Sequence, residues 1–319
     1  MVFALARLRS DGSARLALVV GERIRELPDD VVADLGGSLN AILADIGGAT
    51  PRLEALAADD SAHWRTVDEV TLLAPVEPRQ VIQAGANYRK HVIDLGVAHR
   101  DPADGRSEEE VRAETAAMMD ERAATGIPYF FLGLPTVIAG PHEDLVLPAG
   151  NPTHDWELEL AAVIGRPAFR VSVDEALNHV AGYTIVNDIT TRNLVFRKDM
   201  DAIGTDWFRA KNQPGFLPAG PYLVPADQVG DTQTLRVTLR LNGEVMQDEG
   251  TDDMIFTVAQ LLSHASQTTT LLPGDLLLTG SPSGNGAHWG RMLRPGDVME
   301  GEITGLGRQV VRCRDEARA

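Results

Sequence analysis

Glu157 and Glu159 stand two residues apart in a stretch that otherwise reads as a buried β-strand, Asp155-Trp156-Glu157-Leu158-Glu159-Leu160-Ala161-Ala162-Val163-Ile164-Gly165. Side chains alternate faces along a strand, so Trp156, Leu158, Leu160, Ala162 and Ile164 share one face. Both glutamates share the other face, beside Ala161 and Val163. Carboxylates about 7 Å apart on one face repel each other, and a low-dielectric interior makes the repulsion worse. Two arrangements answer that cost: a half-exposed strand with a wet acidic face, or a hard divalent cation bound by the oxygens.

A second strand bears on the choice. Val180-Ala181-Gly182-Tyr183-Thr184-Ile185-Val186 is almost wholly apolar, as a strand covered on both faces is. It runs into Asn187-Asp188, with Thr190, Thr191 and Arg192 close behind. Asp188 is either a cap for the next segment or a third carboxylate for the same cation.

Composition narrows the partners. Among 319 residues, Lys and Arg number 29 against 46 Asp and Glu, a net charge of −17 that repels nucleic acid phosphates and anionic membrane surfaces. Cys313 is the one cysteine, which excludes an intrachain disulfide and any multi-thiolate metal site. No apolar run approaches the roughly 20 residues of a membrane span. Arg7, Arg9 and Asp11 break the N-terminal apolar stretch where a signal peptide would need it intact. The expectation is a cytoplasmic protein acting on a small molecule.

Along the chain, 3–8 and 15–20 read as strands joined by a turn at Asp11-Gly12-Ser13. Short helices follow around 38–46 and from Pro51, placed at a first helical turn. The strand-like segment 71–78 ends in prolines, and the domain boundary is set there: a small N-terminal α+β domain over 1–74, then a larger one over 75–319. In the second, Val81 to Gly85 is a short apolar strand and Asn87 to Leu95 a helix. Ser107 with Glu110 forms a capping box for a helix running to Ala124, stopped by Gly126 and Pro128. Strands are expected over 158–164, 180–189, 235–241, 276–279 and 298–303, with Asn242-Gly243 as a type I′ hairpin turn.

The helix after Gly85 carries His91 and Asp94, neighbours at i and i+3. A carboxylate beside an imidazole fixes its tautomer and raises its basicity, as a water-activating base requires; a surface pair is the alternative.

In this order, the segments resemble the fumarylacetoacetate hydrolase family over roughly 75–312. Gly85-Ala86-Asn87-Tyr88 with His91 is similar to the family's G-x-N-Y-x-x-H segment, and Glu157-Leu158-Glu159 to its metal-binding E-x-E strand. Asn187-Asp188-Ile189-Thr190 with Arg192 resembles N-D-x-[ST]-x-R, and Lys211 falls at the family's active-site lysine. Thr279-Gly280-Ser281-Pro282 with Gly284 and Gly286 resembles the T-G-[TS]-P-x-G-x-G loop.

The resemblance implies a mainly β fold with helices (α+β), its mixed sheets rolled around the site, and a homodimer. It implies Mg2+ or Mn2+ held by Glu157, Glu159 and Asp188, with His91, Asp94 and Lys211 catalytic. Substrate contacts would come from Tyr88, Arg192, Gly280 and Ser281. The implied activity is metal-dependent hydrolysis of a carbon–carbon bond in a β-diketo or 2-oxo acid. Keto–enol tautomerisation, decarboxylation or hydration at the same metal site is the alternative.

Several positions depart from the family pattern. Asp94 replaces a glutamate, Gly133 stands where a lysine often falls, and Val195 where a glutamine does. Fewer polar anchors imply a more apolar or differently shaped substrate. The long segment 96–128 carries Met118 and Met119, which would either line a lid over a substrate tail or pack on the core or on a dimer partner. His288-Trp289 and His154 are further contacts to test, as substrate neighbours and as a spare metal ligand.

Overall fold

The computed structural model describes residues 3–316 apart from 99, 101, 102, 104 and 201. An antiparallel sheet of five strands opens the chain, in the order Arg65–Thr66, Arg23–Glu26, Ser13–Val20, Ala4–Ser10, Thr71–Leu73. The helix Ile46–Ala57 packs beside it and contains Pro51 in its second turn rather than at its start. Asp45 caps this helix through the Gly48 amide, at 3.2 Å, so a full turn forms before the proline and only the Gly47 carbonyl loses its partner.

The larger half is built on a six-stranded mixed sheet, ordered Val224–Pro225, Val180–Asn187, Leu158–Ile164, Leu276–Leu278, Val81–Gly85, Tyr129–Gly133. Only Leu276–Leu278 and Val81–Gly85 run parallel within it. A five-stranded sheet faces it, ordered Glu244–Gly250, Arg236–Leu241, Val298–Ile303, Arg308–Asp315, Leu145–Leu147. The fold is α+β, as expected. The hairpin turn has positive φ at both Asn242 (53°) and Gly243 (85°), as type I′ geometry requires.

The strand Leu158–Ile164 is buried along its whole length, and its two faces feed different cores. Trp156, Leu158, Leu160, Ala162 and Ile164 pack with Val237, Leu239, Met299 and Val311 of the facing sheet. Ala161 and Val163 pack with Leu5, Leu18 and Leu53 of the first sheet and its helices. Leu5 and Leu223 exchange backbone hydrogen bonds of 2.8 Å, which tie the two halves together. The wet-faced strand is therefore excluded: Glu157 is 7% exposed and Glu159 2%. The neighbouring strand stops at Asn187, two residues earlier than expected, because the Asn187 side chain turns back to accept the Glu157 amide at 2.9 Å.

The helices Arg89–Ala98 and Glu108–Thr125 pack together on the larger half. The second has the expected capping box at Ser107 and Glu110. Among the described residues, no helix is long and apolar enough to cross a membrane.

Candidate metal and substrate site

Antiparallel pairing sets Leu158 opposite Asn187, and the Asp188 amide donates to the Glu157 carbonyl at 2.8 Å. That register brings Glu157, Glu159 and Asp188 together: one oxygen from each lies within 4.8 Å of the others, all buried. Gly280 adds a support from the next strand. Its amide donates to Glu159 Oε2 at 2.8 Å, its φ is +89°, and a Cβ there would meet Asn87 Cβ at 3.1 Å and the Ala84 carbonyl at 3.2 Å. Only glycine serves at that position.

Lys211 ends the short helix Trp207–Lys211, whose N-terminus Asp206 caps through the Arg209 amide. Its Nζ donates to Glu157 Oε2 at 2.6 Å, to Asp188 Oδ2, and to the Asp188 carbonyl at 3.2 Å. Arg192 pairs with Asp155 Oδ2 at 2.7 Å and with Glu157 Oε1 at 2.5 Å. Asp155, not foreseen as a site residue, also accepts the amides of Trp156, Gly286 and Ala287, so it joins Arg192 to the glycine loop.

The charges do not balance within this buried group. Asp155, Glu157, Glu159 and Asp188 face only Arg192 and Lys211, which leaves a formal charge of −2 when all are ionised. Burial opposes ionisation of Glu157, but Arg192 and Lys211 outweigh it and hold its carboxyl well below the usual range. Burial, with Asp188 close by, pushes Glu159 well above that range, and burial pushes Asp188 up to about 6. An all-oxygen donor set with two uncompensated negative charges fits a hard divalent cation.

Glu157, Glu159, Asp188, Arg192 and Lys211 line a cavity of about 360 Å³ together with His91, Val92, Leu95, Tyr129, Phe131, Trp207 and Ser281. Burial pushes the His91 imidazole down to about 4, so it is neutral near pH 7 and free to accept a proton. The Asp94 carboxylate is engaged by other partners. Asp94 Oδ1 accepts from Arg112 at 2.9 Å, Oδ2 accepts from the Ser283 hydroxyl, and His288 Nδ1 lies 3.7 Å from Oδ2. Among the described residues no hydrogen bond joins His91 to Asp94; the carboxylate instead ties its own helix to Glu108–Thr125 and to the glycine loop.

Other expected contacts also differ. Tyr88 is wholly buried and outside the cavity lining, and burial raises its phenol above the ordinary range. The Gly280 amide is spent on Glu159, whereas Ser281 does line the cavity, its Oγ accepting from Gln247 at 3.0 Å. Arg192 lines it as well, but as the partner of Asp155 and Glu157. Met119 is buried and Met118 is 54% exposed; neither lines the cavity, which leaves the segment without a methionine lid. His154 is buried against Thr191, 3.0 Å from Nδ1 to Oγ1, apart from the carboxylate trio.

Gln83, in the otherwise apolar strand Val81–Gly85, also reaches the site. It is buried, and its Nε2 donates to Asp188 Oδ1 at 3.2 Å, the oxygen that Lys211 leaves free. Gly133 makes room for it, since a Cβ there would come within 2.9 Å of Gln83 Nε2. Removing a group that orients a ligand carboxylate weakens metal binding, so Gln83→Leu should lower Mn2+ affinity by about tenfold in calorimetric titration. Unchanged affinity would reduce Gln83 to a packing residue.

The family follows from the chain as a whole. Residues 80–314 match the fumarylacetoacetate (FAA) hydrolase C-terminal domain. The chain belongs to the fumarylacetoacetate hydrolase family. It is 36% identical over 303 residues to a 2,4-didehydro-3-deoxy-L-rhamnonate hydrolase of a Sphingomonas species, covering 91% of this chain and 92% of that one. It is 35% identical over 242 residues to a mitochondrial oxaloacetate tautomerase of Bos taurus, covering 75% and 68%. A fumarylacetoacetate hydrolase fold solved as maleylpyruvate hydrolase from Sphingobium sp. SYK-6, in complex with manganese (II) ion and pyruvate, superposes with a TM-score of 0.74 at 25% identity, covering 98% and 99%. Members of the family are thus hydrolases, isomerases and tautomerases, and this chain is an enzyme of that kind.

Proposed function

We propose that the protein is a metal-dependent hydrolase that cleaves the carbon–carbon bond between the C3 methylene and C4 carbonyl of a 2,4-dioxo acid, with Mg2+ or Mn2+ held by Glu157, Glu159 and Asp188. The observation that carries this reading is the buried carboxylate trio sharing one cavity with a neutral His91 and with Lys211. Names among the relatives support it: 2,4-didehydro-3-deoxy describes an acid with carbonyls at carbons 2 and 4 around a methylene.

A cation bound there supplies a Lewis acid for the 2-oxo acid head and for the negative charge that develops as the bond breaks. Lys211 pairs with Glu157 and Asp188 and places its ammonium at the cavity wall. His91 takes a proton from water, whose oxygen adds to the C4 carbonyl. The electron pair of the broken bond stays on the C3 side, which then takes up a proton. The products are a 2-oxo acid and a second carboxylic acid. Ser281 offers a hydroxyl to the substrate's oxygens.

The engagement of both Asp94 oxygens away from His91 favours a second reading, keto–enol tautomerisation of a 2-oxo acid. That reaction needs a proton acceptor but no activated water. Acylpyruvates and oxaloacetate, each assayed with Mn2+ and with EDTA, separate the two. The hydrolase reading expects EDTA-sensitive pyruvate release from an acylpyruvate in a lactate dehydrogenase-coupled assay. Enol–keto conversion of oxaloacetate by ultraviolet absorbance, without pyruvate release from any acylpyruvate, would replace it with the tautomerase.

A further inference from the structure

Building on the 2-oxo acid reading above, we infer that the far end of the substrate, beyond the reacting carbonyls, carries no charge. The cavity's only cations among the described residues are Lys211 and Arg192, and both are committed to buried carboxylates. The rest of the lining is largely Val92, Leu95, Tyr129, Phe131 and Trp207, with Thr205, and the Lys211 ammonium lies over the Phe131 and Trp207 rings at 5.5 and 5.9 Å. Phe131 and Trp207 stack, with ring centroids 4.7 Å apart and planes 17° from parallel.

The one ammonium over these rings is already held by Glu157 and Asp188, so a tail carboxylate desolvated against the aromatic faces meets no free cation to offset its lost hydration. Arg122 does not supply the missing cation. Its guanidinium is held by the carbonyls of Gly85 and Ala86 and lies over the Phe256 ring at 5.5 Å, outside the lining. At about 360 Å³ the cavity has more room than a pyruvate head needs, so this wall is built for an attached group.

Chain-matched acids test this without turnover. Calorimetric titration of the Mn2+-loaded protein would compare pyruvate, 2-oxohexanoate and 2-oxoadipate, the last two sharing six carbons and differing in a terminal carboxylate. The expected order is 2-oxohexanoate about tenfold tighter than pyruvate, with 2-oxoadipate at least about tenfold weaker than 2-oxohexanoate. Leu95→Lys, which puts an ammonium on the wall, should narrow or reverse the preference between the six-carbon acids. Equal or tighter binding of 2-oxoadipate by the parent protein, with pyruvate bound, would overturn the uncharged tail alone. Failure of all three acids to bind would overturn the 2-oxo acid reading and this inference with it. The expected order in a protein that cleaves no acylpyruvate would keep the uncharged tail and remove only the hydrolase reading.

Discussion

Glu159→Gln should lower affinity for Mn2+ or Mg2+ by about 100-fold or more while the fold persists, because the change keeps the shape and removes one of the charges that attract the ion. The Gly280 amide can still donate to the remaining side-chain oxygen, and the strand itself is held on both faces by apolar cores. Calorimetric titration of the metal-free protein reads the loss; equal affinity in variant and parent would remove Glu159 as a ligand. The same titration has a pH signature. Burial pushes Asp188 up to about 6 and Glu159 well above its ordinary value, so protons compete with the cation for these oxygens. Affinity of the parent protein should therefore fall as the pH is lowered through about 6.

His91→Asn should cut turnover by roughly 100- to 10,000-fold, the usual worth of a positioned proton acceptor, and leave Mn2+ binding intact. The imidazole is not a member of the carboxylate trio, yet it lines the same cavity. Steady-state kinetics beside calorimetry separate the two effects; turnover equal to the parent's would take His91 out of the proton transfer. The sign of the pH effect follows from burial, which lowers the imidazole to about 4. The ring loses its ability to accept a proton only below that value. At saturating metal, the parent's activity should show no loss near the ordinary histidine value of about 6.5.

The carboxylate trio was readable because each member sits in or just after a strand whose apolar alternation is strong, and because acids in such strands demand compensation. The fold class was readable for the same reason. The direct partners of Asp94 were not legible, because helical spacing places it near His91 but says nothing of competitors: Arg112 comes from 18 residues away and Ser283 from 189. Gln83 was hidden by its apolar neighbours Val81, Ile82 and Ala84, and its role depends on Asp188 across the sheet. The apolar wall was equally hidden, since Val92 and Leu95, Tyr129 and Phe131, and Trp207 come from a helix, a strand and a second helix that only tertiary packing brings together. Pro51 marked a helix correctly but not its start, because the Asp45 cap lies a turn earlier.

The reciprocal hydrogen bonds between Leu5 and Leu223 change how the small leading unit is regarded. It is less an appendage than the back plate of the chamber: Leu5, Leu18 and Leu53 press on Ala161 and Val163, whose strand neighbour Glu159 lies on the same face. Shedding that plate would open the rear of the strand that carries Glu159 to solvent.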